Sequence, residues 1–387
     1  MIKILEVITL PDSAEAFIGN QFTFFQDTGK YEMHLICSNG PTLNEFVNNQ
    51  HIKCKPIEIS RQLSPMKDIK AIFQIANYIK KNKIDFIIAH YFPKASLLTT
   101  FASLIAGHKN KIIIAHGVLH DTMHGLLRKL VIWEQKFDVA FAKKVICVSP
   151  SVARRRQEDG IEDAKKQIIL GKGSVNGVDA IYKFNPEHIS QKTILQLKKK
   201  FIITDTDFII GFSGRIVHDK GIEELCEAFE ILKKRFPQKS IKLFIIGEPE
   251  KRDAVPQKIL DILHQNTNVI FTGRIPYSYI QQYYLLMNVL VLPSYREGFP
   301  TVVLEAGAMG IPVIVSRSTG CIDSIKEGET GVFTDISAES ISNNIEKFFN
   351  KDFARSIGKN ARQYVLNNYD QRIIQTYMLE VLDKYAN

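Results

Sequence analysis

The feature that most restricts the fold of this chain is an alternation of short β-branched runs and amphipathic stretches, which occurs twice. The first series lies in residues 2–148 and the second in 208–315, with a polar, lysine-rich interval at 191–200 between them. Strands that alternate with helices form parallel sheets with crossover helices. Two series therefore predict two α/β domains. A chain of 387 residues is long enough for two hydrophobic cores, because a single core stops growing at about 250–300 residues.

The strand-like runs and their connections set the expected layout. The amphipathic stretch 68–81 predicts a helix that packs through Ile69, Ile72, Phe73, Ala76 and Ile79. Residues 373–385 predict a C-terminal helix with one apolar face, and the glycine-rich segment 171–179 predicts the join between the domains. The runs expected to be strands are 2–10, 31–37, 84–89, 111–115 and 145–148 in the first series, and 208–212, 241–246, 269–272, 289–292 and 313–315 in the second.

Cysteine usage and the N-terminus indicate the compartment. The chain has five widely separated cysteines and no C-x-x-C motif, which predicts free thiols in a reducing compartment. Residues 1–8 resemble a first strand and lack the apolar core of a signal peptide. No apolar run reaches the roughly 18–20 residues that span a bilayer. We therefore expect a cytoplasmic protein, with peripheral attachment to the inner face of the cell membrane as an open alternative.

Charge is distributed unevenly along the chain. The formal net charge is +9. Residues 1–185 hold 25 basic and 17 acidic side chains, whereas residues 186–387 hold 25 and 24. A basic half suggests an anionic partner for that half. The count alone leaves nucleic acid, a membrane and a charged substrate open.

The segment 293–306 is the most informative candidate site. It follows the strand 289–292 and opens a helix, and in open α/β sheets ligands bind at the carboxyl ends of strands. Pro300 suits a first helical position, so the N–H groups of Thr301 and Val302 could meet a phosphate. Glu297 precedes the helix and Glu305 lies within it. Taken alone, these two glutamates are better explained as an N-terminal charge that favours the helix dipole and a solvated side chain.

Two further strand-end loops add to this segment. In 209–221, Gly214 allows close backbone approach, and Arg215 and Lys220 place two cations on one loop, which suits a diphosphate whose charge grows as it leaves. Taken alone, the loop could equally be a basic surface loop. In 271–275, Gly273 marks a loop that could reach a base edge.

Together these segments resemble the family-4 glycosyltransferases of the GT-B fold. The matching motifs are G-R-x4-K-G at 214–221, F-x-G-x-I at 271–275 and P-S-x2-E-G-F-P-x4-E at 293–305. Further matches are the strand 310–314, the turn 318–320, the segment 328–331 and the join at 176–179. Order and spacing agree over most of the second half, whereas the first half agrees in outline.

The resemblance implies two Rossmann-like domains that face each other across a cleft. Residues 1–180 would bind the acceptor, with 370–387 packing back onto them, and residues 181–369 would bind the donor. The implied reaction is retaining transfer from a nucleotide-sugar, a UDP-hexose or UDP-N-acetylhexosamine, by an enzyme of class EC 2.4. The resemblance also implies that no metal and no cofactor besides the donor is needed.

The resemblance also assigns site residues. Glu297 would contact the donor sugar, Glu305 the ribose, and Arg215 and Lys220 the diphosphate. His116 follows the strand 111–115 and matches a histidine that contacts the donor sugar in relatives. The catalytic set is therefore Glu297, His116, Arg215 and Lys220. The other donor-binding positions are Gly214, Gly273, Arg274, Ile275, Phe299, Pro300, Thr301, Val302 and Glu305.

Three features depart from this pattern or offer alternatives. The first loop has a single glycine where many relatives have a pair, and Gly19, Asn20 and Gln21 are its expected contacts to the acceptor or diphosphate. The spacing of His116, His120 and His124 suggests zinc, but Gly117 makes an unbroken helix doubtful. The D-x-D motif at 205–207 resembles a metal motif but precedes its strand, on the wrong edge for a ligand.

The basic half predicts the partners. Residues 123–133 mix apolar bulk, cations and the only tryptophan, which suits a helix that approaches anionic lipid; a core helix with a basic edge is the alternative. No zinc-finger, helix-turn-helix or RNA-binding aromatic motif accompanies the cations. We expect a lipid-linked saccharide acceptor in surface polysaccharide biosynthesis, an anionic membrane surface and no nucleic acid. The alternatives are a soluble acceptor and a non-catalytic nucleotide-sugar-fold protein that binds nucleic acid.

Overall fold

The computed structural model describes residues 1–60, 64–91, 94–250 and 253–386. The chain divides into two compact units, Met1–Asn176 with Arg372–Asn387, and Gly177–Gln371. Each unit contains one parallel sheet with flanking helices. The two α/β domains predicted from the repeated alternation are therefore present.

The first unit alternates strands and helices from its first residue. Its strands are β1 (Ile2–Val7), β2 (Tyr31–Cys37), β3 (Lys53–Pro56), β4 (Phe86–Tyr91), β5 (Lys111–Ala115), β6 (Lys144–Cys147) and β7 (Gln167–Ile168). Its helices up to the boundary are α1 (Pro11–Phe17), α2 (Gln21–Gln26), α3 (Leu43–Gln50), α4 (Pro65–Asn82), α5 (Ala95–Ala106), α6 (Gly125–Ala140) and α7 (Pro150–Glu158).

The first sheet has the order β3-β2-β1-β4-β5-β6-β7, and every pair is parallel. Strands β4 and β5 are buried along their whole length, as expected for strands covered by helices on both faces. The strand order reverses direction between β1 and β4, which makes their carboxyl ends a topological switch point. Two edge strands were not predicted. Strand β3 carries exposed lysines instead of an apolar run, and β7 has only two residues.

Helix α4 spans the predicted region but buries a different face. Its buried residues are Ala71, Ile75, Ala76 and Ile79. Ile69 and Phe73, which we expected in the core, are exposed. Apolar residues cover more than one stripe of this helix, so the 3.6-residue period identified the helix without identifying the stripe that packs.

The second unit repeats the alternation. Its helices are α8 (Gln191–Lys200), α9 (Ile222–Arg235), α10 (Gln257–Gln265), α11 (Ile280–Tyr284), α12 (Thr301–Ala308), α13 (Ala338–Lys347) and α14 (Lys351–Asn368). Its strands are β8 (Phe208–Ser213), β9 (Ile241–Ile246), β10 (Val269–Phe271), β11 (Val289–Leu292), β12 (Val313–Ser316) and β13 (Val332–Thr334). The three-residue strand β13 was not predicted.

The second sheet has the order β10-β9-β8-β11-β12-β13, again with parallel pairs throughout. The order reverses between β8 and β11, so these neighbours form the switch point of this sheet. The two longest predicted ligand loops follow β8 and β11. Parallel pairing places both loops at the same edge of the sheet.

The last helix, α15 (Gln371–Tyr385), begins at the end of the second unit, and from Arg372 onward it belongs to the first. The hydroxyl of Tyr31 donates a hydrogen bond of 2.6 Å to Asp383, and Lys30 lies 3.1 Å from the same carboxylate. Ile374, Met378 and Leu382 form its buried side. The apolar face of the helix is therefore used within the first unit.

Candidate active site

The centre of the candidate site in the second unit is a contact between Lys220 and Glu297. The Nζ of Lys220 donates a hydrogen bond to Oε1 of Glu297. The same oxygen accepts a 2.9 Å hydrogen bond from Ser294, and the Glu297 N–H donates to the carbonyl of Thr319 at 3.0 Å. Loops that follow β8, β11 and β12 thus meet at Glu297, the first two at its carboxylate and the third at its backbone N–H. The structure brings together two of the predicted catalytic residues, which lie 77 positions apart in sequence.

A second set of contacts joins the same two loops. The guanidinium of Arg296 donates from Nε to Oδ2 of Asp219 at 2.8 Å. The N–H of Tyr295 donates to the carbonyl of Asp219 at 2.9 Å, and the Tyr295 ring stacks on His218 with centroids 5.2 Å apart. These contacts hold Lys220 and Glu297 in place from both sides.

Glycine is required at two points where the backbones approach. Gly221 has φ +66°, and a Cβ there would lie 2.2 Å from the Pro293 carbonyl oxygen. Gly320 has φ +82°, and a Cβ would lie 2.6 Å from the Glu297 carbonyl oxygen. Both the left-handed conformation and the missing side chain are needed. These two glycines, which belong to the predicted motifs, therefore serve loop-to-loop packing.

Glu305 occupies a buried polar pocket instead of solvent. Its side chain accepts a 2.6 Å hydrogen bond from the Tyr284 hydroxyl, which also lies 3.3 Å from the Ser213 hydroxyl. Burial raises the pKa of Glu305 above its usual value, while the Tyr284 hydrogen bond and the nearby Lys183 oppose this shift. The solvated-glutamate interpretation is therefore wrong for Glu305.

The remaining cation of the first motif lies apart from this pair. Arg215 is half-exposed and its Nη1 donates to Glu250 at 2.9 Å. Gly214 donates its N–H to the Ile246 carbonyl at 2.9 Å. The two predicted diphosphate contacts thus have different partners, an exposed glutamate for Arg215 and the central carboxylate for Lys220.

The predicted base-contacting loop lies next to the loop after β9. The Gly247 N–H donates to the Gly273 carbonyl at 3.0 Å, and the Arg274 N–H donates to Oε1 of Glu248 at 3.4 Å. Gly273 has φ +68°. The Arg274–Ile275 segment follows at the same edge of the sheet. The structure therefore places Gly273, Arg274 and Ile275 on a loop that neighbours Gly214.

The helix α12 begins one residue later than predicted. Pro300 is the N-cap residue of α12 and Thr301 is its first helical residue. The Pro300 carbonyl accepts a hydrogen bond of 3.0 Å from the N–H of Val303. Such one-residue differences are common at helix ends. Phe299 packs on Tyr369 with ring centroids 5.3 Å apart. The N–H groups of Thr301 and Val302 belong to the first turn of the helix, as the motif predicted.

In the first unit, His116 belongs to a chain of three titratable side chains. Its Nε2 lies 2.8 Å from Nδ1 of His90, whose Nε2 lies 2.9 Å from Oε2 of Glu6. The Phe17 ring packs on His116 with centroids 4.4 Å apart. Burial, followed by the nearby His90, lowers the pKa of His116 well below its usual value. This shift favours the neutral form of the His116 imidazole.

The first loop is held by the end of the same unit. Gly19 has φ +53°, and a Cβ there would lie 2.6 Å from Nδ2 of Asn176. Gln21 is buried and its amide donates to the Val175 carbonyl, while Asn20 accepts from Gln50 at 3.1 Å. The side chains of Asn20 and Gln21 therefore fix the loop.

One group among the described residues has the composition of a metal site: His120, Asp121 and Asp159. Arg128 donates to Asp159, and Arg155 donates to Asp121 at 2.8 Å. His120 lies 2.8 Å from Asp159. The carboxylates are thus neutralised by arginines, and the group is an ion-pair cluster that joins α6 and α7.

Comparison with known proteins identifies the family. The model of the glycosyl transferases group 1 matches residues 194–364, and that of Glycosyltransferase Family 4 matches residues 25–171. Over 377 residues the chain is 30% identical to the capsular polysaccharide biosynthesis glycosyltransferase CapM of Staphylococcus aureus, covering 96% of this chain and 94% of that protein. The chain is a family-4 glycosyltransferase.

Two further comparisons accompany this one. The glycosyltransferase is 26% identical over 337 residues to the N,N'-diacetylbacillosaminyl-diphospho-undecaprenol alpha-1,3-N-acetylgalactosaminyltransferase of Campylobacter jejuni, with 84% of each chain covered. It also superimposes on Anabaena HepE in complex with UDP-glucose with a TM-score of 0.80, at 18% identity over 99% of this chain and all of that one. The predicted GT-B fold is confirmed.

Sequence reasoning missed the residues that support the predicted ones in this glycosyltransferase. Glu6 and His90 line up behind His116; the sequence predicted Glu6 only as part of a strand, and His90 lies one residue beyond the predicted strand 84–89. Tyr284, which bonds Glu305, lies in a short helix without a motif. The available signal was a charged or titratable side chain inside an apolar strand, as at Glu6 and His90. The roles of the predicted site residues themselves stay predictions.

Proposed function

We propose that this glycosyltransferase transfers a hexosyl or N-acetylhexosaminyl group from a UDP-sugar to a lipid-linked saccharide, with retention of configuration, in surface polysaccharide biosynthesis. The observation that carries the proposal is the contact between Lys220 and Glu297 at the switch point of the second sheet. It joins a cation suited to a diphosphate and a carboxylate suited to sugar hydroxyls at one position, next to the start of α12.

The donor is bound by the loops of the second unit. Lys220 and Arg215 neutralise the diphosphate, and the first-turn N–H groups of Thr301 and Val302 donate to it, because a helix start favours anions. As the bond between the anomeric carbon and the diphosphate oxygen breaks, negative charge grows on the leaving group. Fixed donors are most effective where charge develops. These groups supply the positive charge without a metal ion.

Glu297 and Glu305 divide the recognition of the donor. Glu297 accepts hydrogen bonds from sugar hydroxyls once the diphosphate draws Lys220 away from it. Glu305 bonds the ribose hydroxyls from its position beside Tyr284. His116 contacts the transferred sugar, the role that the resemblance gives it. The acceptor hydroxyl forms the new bond on the face from which the diphosphate leaves, and its proton passes to the leaving diphosphate.

The names of the relatives support a lipid-linked acceptor. CapM is a capsular polysaccharide enzyme, and the name of the Campylobacter enzyme contains a diphospho-undecaprenol acceptor. An acceptor of this kind presents a diphosphate at a membrane surface. The excess of basic residues in the first half of the chain suits such an acceptor.

An apolar stripe on α6 supports a bilayer surface as the place of the reaction. The stripe consists of Leu126, Leu130, Trp133, Phe137 and Phe141, which recur at three- and four-residue intervals and so share one face. Leu126 is 72% exposed, Leu130 53% and Trp133 67%. Exposed apolar stripes of this size with a tryptophan suit an interfacial helix. The alternative of a core helix fits this stripe poorly.

The surface extends onto the neighbouring helices. Phe101 of α5 packs on Phe137 with ring centroids 5.5 Å apart, and Leu104 and Ile105 of α5 are exposed beside it. Exposed cations flank the stripe at Lys129 and Lys136, and each basic residue near an anionic surface adds about 1 kcal/mol. Among the described residues no helix has the length and apolar character to cross a bilayer. We therefore place the enzyme peripherally, on the inner face of the cell membrane.

A donor screen tests the proposed function. The purified enzyme is incubated with UDP-glucose, UDP-galactose and their N-acetylhexosamine counterparts plus a lipid-diphosphate-linked saccharide, and UDP release is measured. We expect one donor to give most of the UDP release, and we expect that release to depend on the acceptor. We also expect NMR to show that the new linkage keeps the anomeric configuration of the donor, and we expect full activity in EDTA. Release with none of the donors contradicts the proposal. Transfer to a soluble saccharide or small metabolite instead supports the alternative acceptor class.

A further inference from the structure

Ser213, Tyr284 and Glu305 form a buried series of polar contacts inside the second unit. Ser213 ends β8, Tyr284 ends α11 and Glu305 lies in the second turn of α12. The Tyr284 hydroxyl donates a hydrogen bond of 2.6 Å to Oε2 of Glu305 and lies 3.3 Å from the Ser213 hydroxyl. The three side chains are 3%, 0% and 4% exposed, in chain order. The series thus joins the strand that precedes the Gly214 loop to the helix that begins after Pro300.

The hydroxyl of Tyr284 is a fixed donor to the carboxylate. A tyrosine hydroxyl has one proton to donate, and its short contact is the one to Glu305. Burial, followed by the nearby Glu305, raises the pKa of Tyr284 well above its usual value. Tyr284 therefore keeps its proton at physiological pH, and the buried ring has no other carboxylate to turn to among the contacts described above.

A second tyrosine contacts Glu305 from the exposed side. The Tyr277 side chain also hydrogen-bonds the carboxylate, and Tyr277 is 39% exposed. It lies two positions after the predicted base-contacting loop. The Nζ of Lys183 lies 2.8 Å from the centroid of the Tyr277 ring, and Phe184 packs on both tyrosines with ring centroids 6.0 and 6.4 Å apart. Ligand hydroxyls can therefore reach the carboxylate from the Tyr277 side, whereas the Tyr284 side is closed.

Holding one carboxylate oxygen in advance favours binding at the other. A long side chain such as glutamate loses rotamer freedom when a ligand immobilises it, and this loss weakens binding. The hydrogen bond from the buried Tyr284 restricts Glu305 before any ligand arrives. Because the phenol ring is packed on Phe184 and fully buried, it cannot follow a displaced carboxylate. The contact therefore fixes the direction of the second carboxylate oxygen.

We propose that Tyr284 is a positioning residue, whose buried hydroxyl holds one carboxylate oxygen of Glu305 so that the other meets the ribose hydroxyls of the donor. The inference rests on the proposed role of Glu305 at the ribose. Tyr284 itself does not contact the donor, because its hydroxyl lies between Glu305 and Ser213. It acts on donor affinity through the ribose and leaves the reacting bond alone.

The first unit contains a matched control for Tyr284. The hydroxyl of Tyr31 also donates a hydrogen bond of 2.6 Å to a carboxylate, that of Asp383. Tyr31 is as deeply buried as Tyr284, at 1% exposure. Tyr31→Phe therefore removes the same group from the same kind of contact without touching Glu305. Urea unfolding of both variants shows what the lost hydrogen bond does to stability alone.

Binding of UDP, 2′-deoxy-UDP and 3′-deoxy-UDP, measured by isothermal titration calorimetry, tests the inference. We expect the wild type to bind UDP about 10–100-fold more tightly than at least one deoxy analogue, the range for a hydrogen bond to a charged group. This preference should fall by about threefold or more in Tyr284→Phe and stay unchanged in Tyr31→Phe. An unchanged preference in Tyr284→Phe, or a wild type that binds all three alike or binds no UDP, overturns the inference.

Two further measurements separate positioning from a general structural role. Glu305→Ala should abolish the preference for UDP, and adding Tyr284→Phe should change it no further, because the hydroxyl acts only through this carboxylate. In transfer assays Tyr284→Phe should raise KM for the donor about three- to tenfold with kcat nearly unchanged. A kcat that falls as much as KM rises indicates a structural role and overturns the inference.

Ser213→Ala serves as the second variant if Tyr284→Phe does not fold, because it removes only the hydroxyl beside the phenol. We expect it to lower the preference for UDP by about twofold, and an unchanged preference then overturns the inference. A ribose preference that depends on Tyr284, without transfer from any donor, supports the inference and overturns the proposed function. Transfer from a UDP-sugar without any ribose preference supports the proposed transfer and overturns the inference.

Discussion

Lys220 and Glu297 form an ion pair between the loops that follow β8 and β11. Both side chains are mostly buried, at 15% and 14% exposure. The cation that suits a diphosphate thus pairs with the carboxylate that suits the sugar. In the proposed function, donor binding exchanges this contact for two others, because the diphosphate attracts Lys220 and frees Glu297 to accept hydroxyl groups. On that proposal, the pair couples recognition of the diphosphate to recognition of the sugar.

We predict that Lys220→Ala lowers kcat by about 10²–10³, the usual loss when one donor to a developing charge is removed. The substitution also leaves Glu297 without its cation. UDP release with saturating donor and acceptor measures the effect. Lys359→Ala, which removes an exposed lysine from α14, serves as the control and should keep full activity. An unchanged kcat in Lys220→Ala would remove Lys220 from the diphosphate site.

The sequence predicted the donor loops because their residues are contiguous. Each motif stands at the end of a strand, and the alternation indicated which strands existed. The contact between Lys220 and Glu297 follows once β8 and β11 are neighbours, since parallel strands bring their carboxyl-end loops to the same edge. Strand order, however, is a property of the whole sheet, and no local pattern specifies it.

The row behind His116 shows the limit of this reasoning. Glu6 and His90 are separated by 84 positions and belong to strands that are largely apolar. Only the pairing of β1 with β4 brings them together. The predicted buried face of α4 was wrong for a related reason. Ile69 and Phe73 could be assigned to the core or to the surface only by knowing what packs against the helix. Long-range packing decided both cases.

We predict that Gly221→Ala destabilises the enzyme and weakens donor binding. The left-handed conformation costs an alanine roughly 1–2 kcal/mol, and the new Cβ would meet the Pro293 carbonyl at 2.2 Å. Relieving this contact separates Lys220 from Glu297. Gly328→Ala is the matched control, because Gly328 has φ +71° with nothing near the added Cβ. Urea unfolding and UDP titration measure both effects, and equal losses in the two variants would contradict the steric explanation.

Glu134 on α6 should make the stability of the enzyme depend on pH. Burial raises its pKa to about 7, against the hydrogen bond from Tyr91. The folded state keeps this proton to a higher pH than the unfolded chain does. The free energy of unfolding should therefore fall as pH rises from about 4.5 to about 7, by up to about 3 kcal/mol, and level off above.

Glu134→Gln tests this dependence, because it keeps an oxygen that accepts from Tyr91 and removes the titration. We expect urea unfolding at pH 5 and pH 8 to show a smaller difference in Glu134→Gln than in the wild type. Glu58→Gln, at an exposed glutamate paired with Lys67, should retain the wild-type difference. The same pH difference in all three proteins would show that Glu134 is ionised in the folded state.

The apolar stripe on α6 should decide binding to anionic vesicles. Burying a leucine-sized side chain contributes about 1.5–3 kcal/mol, so Leu130→Ser with Trp133→Ser should weaken vesicle binding about 100-fold, since each 1.4 kcal/mol is tenfold. Co-sedimentation with phosphatidylglycerol-containing vesicles measures this. Leu195→Ser, at an exposed leucine of α8 in the second unit, should bind like the wild type, and salt should weaken all binding. Equal binding by the double variant would exclude α6 as the membrane surface.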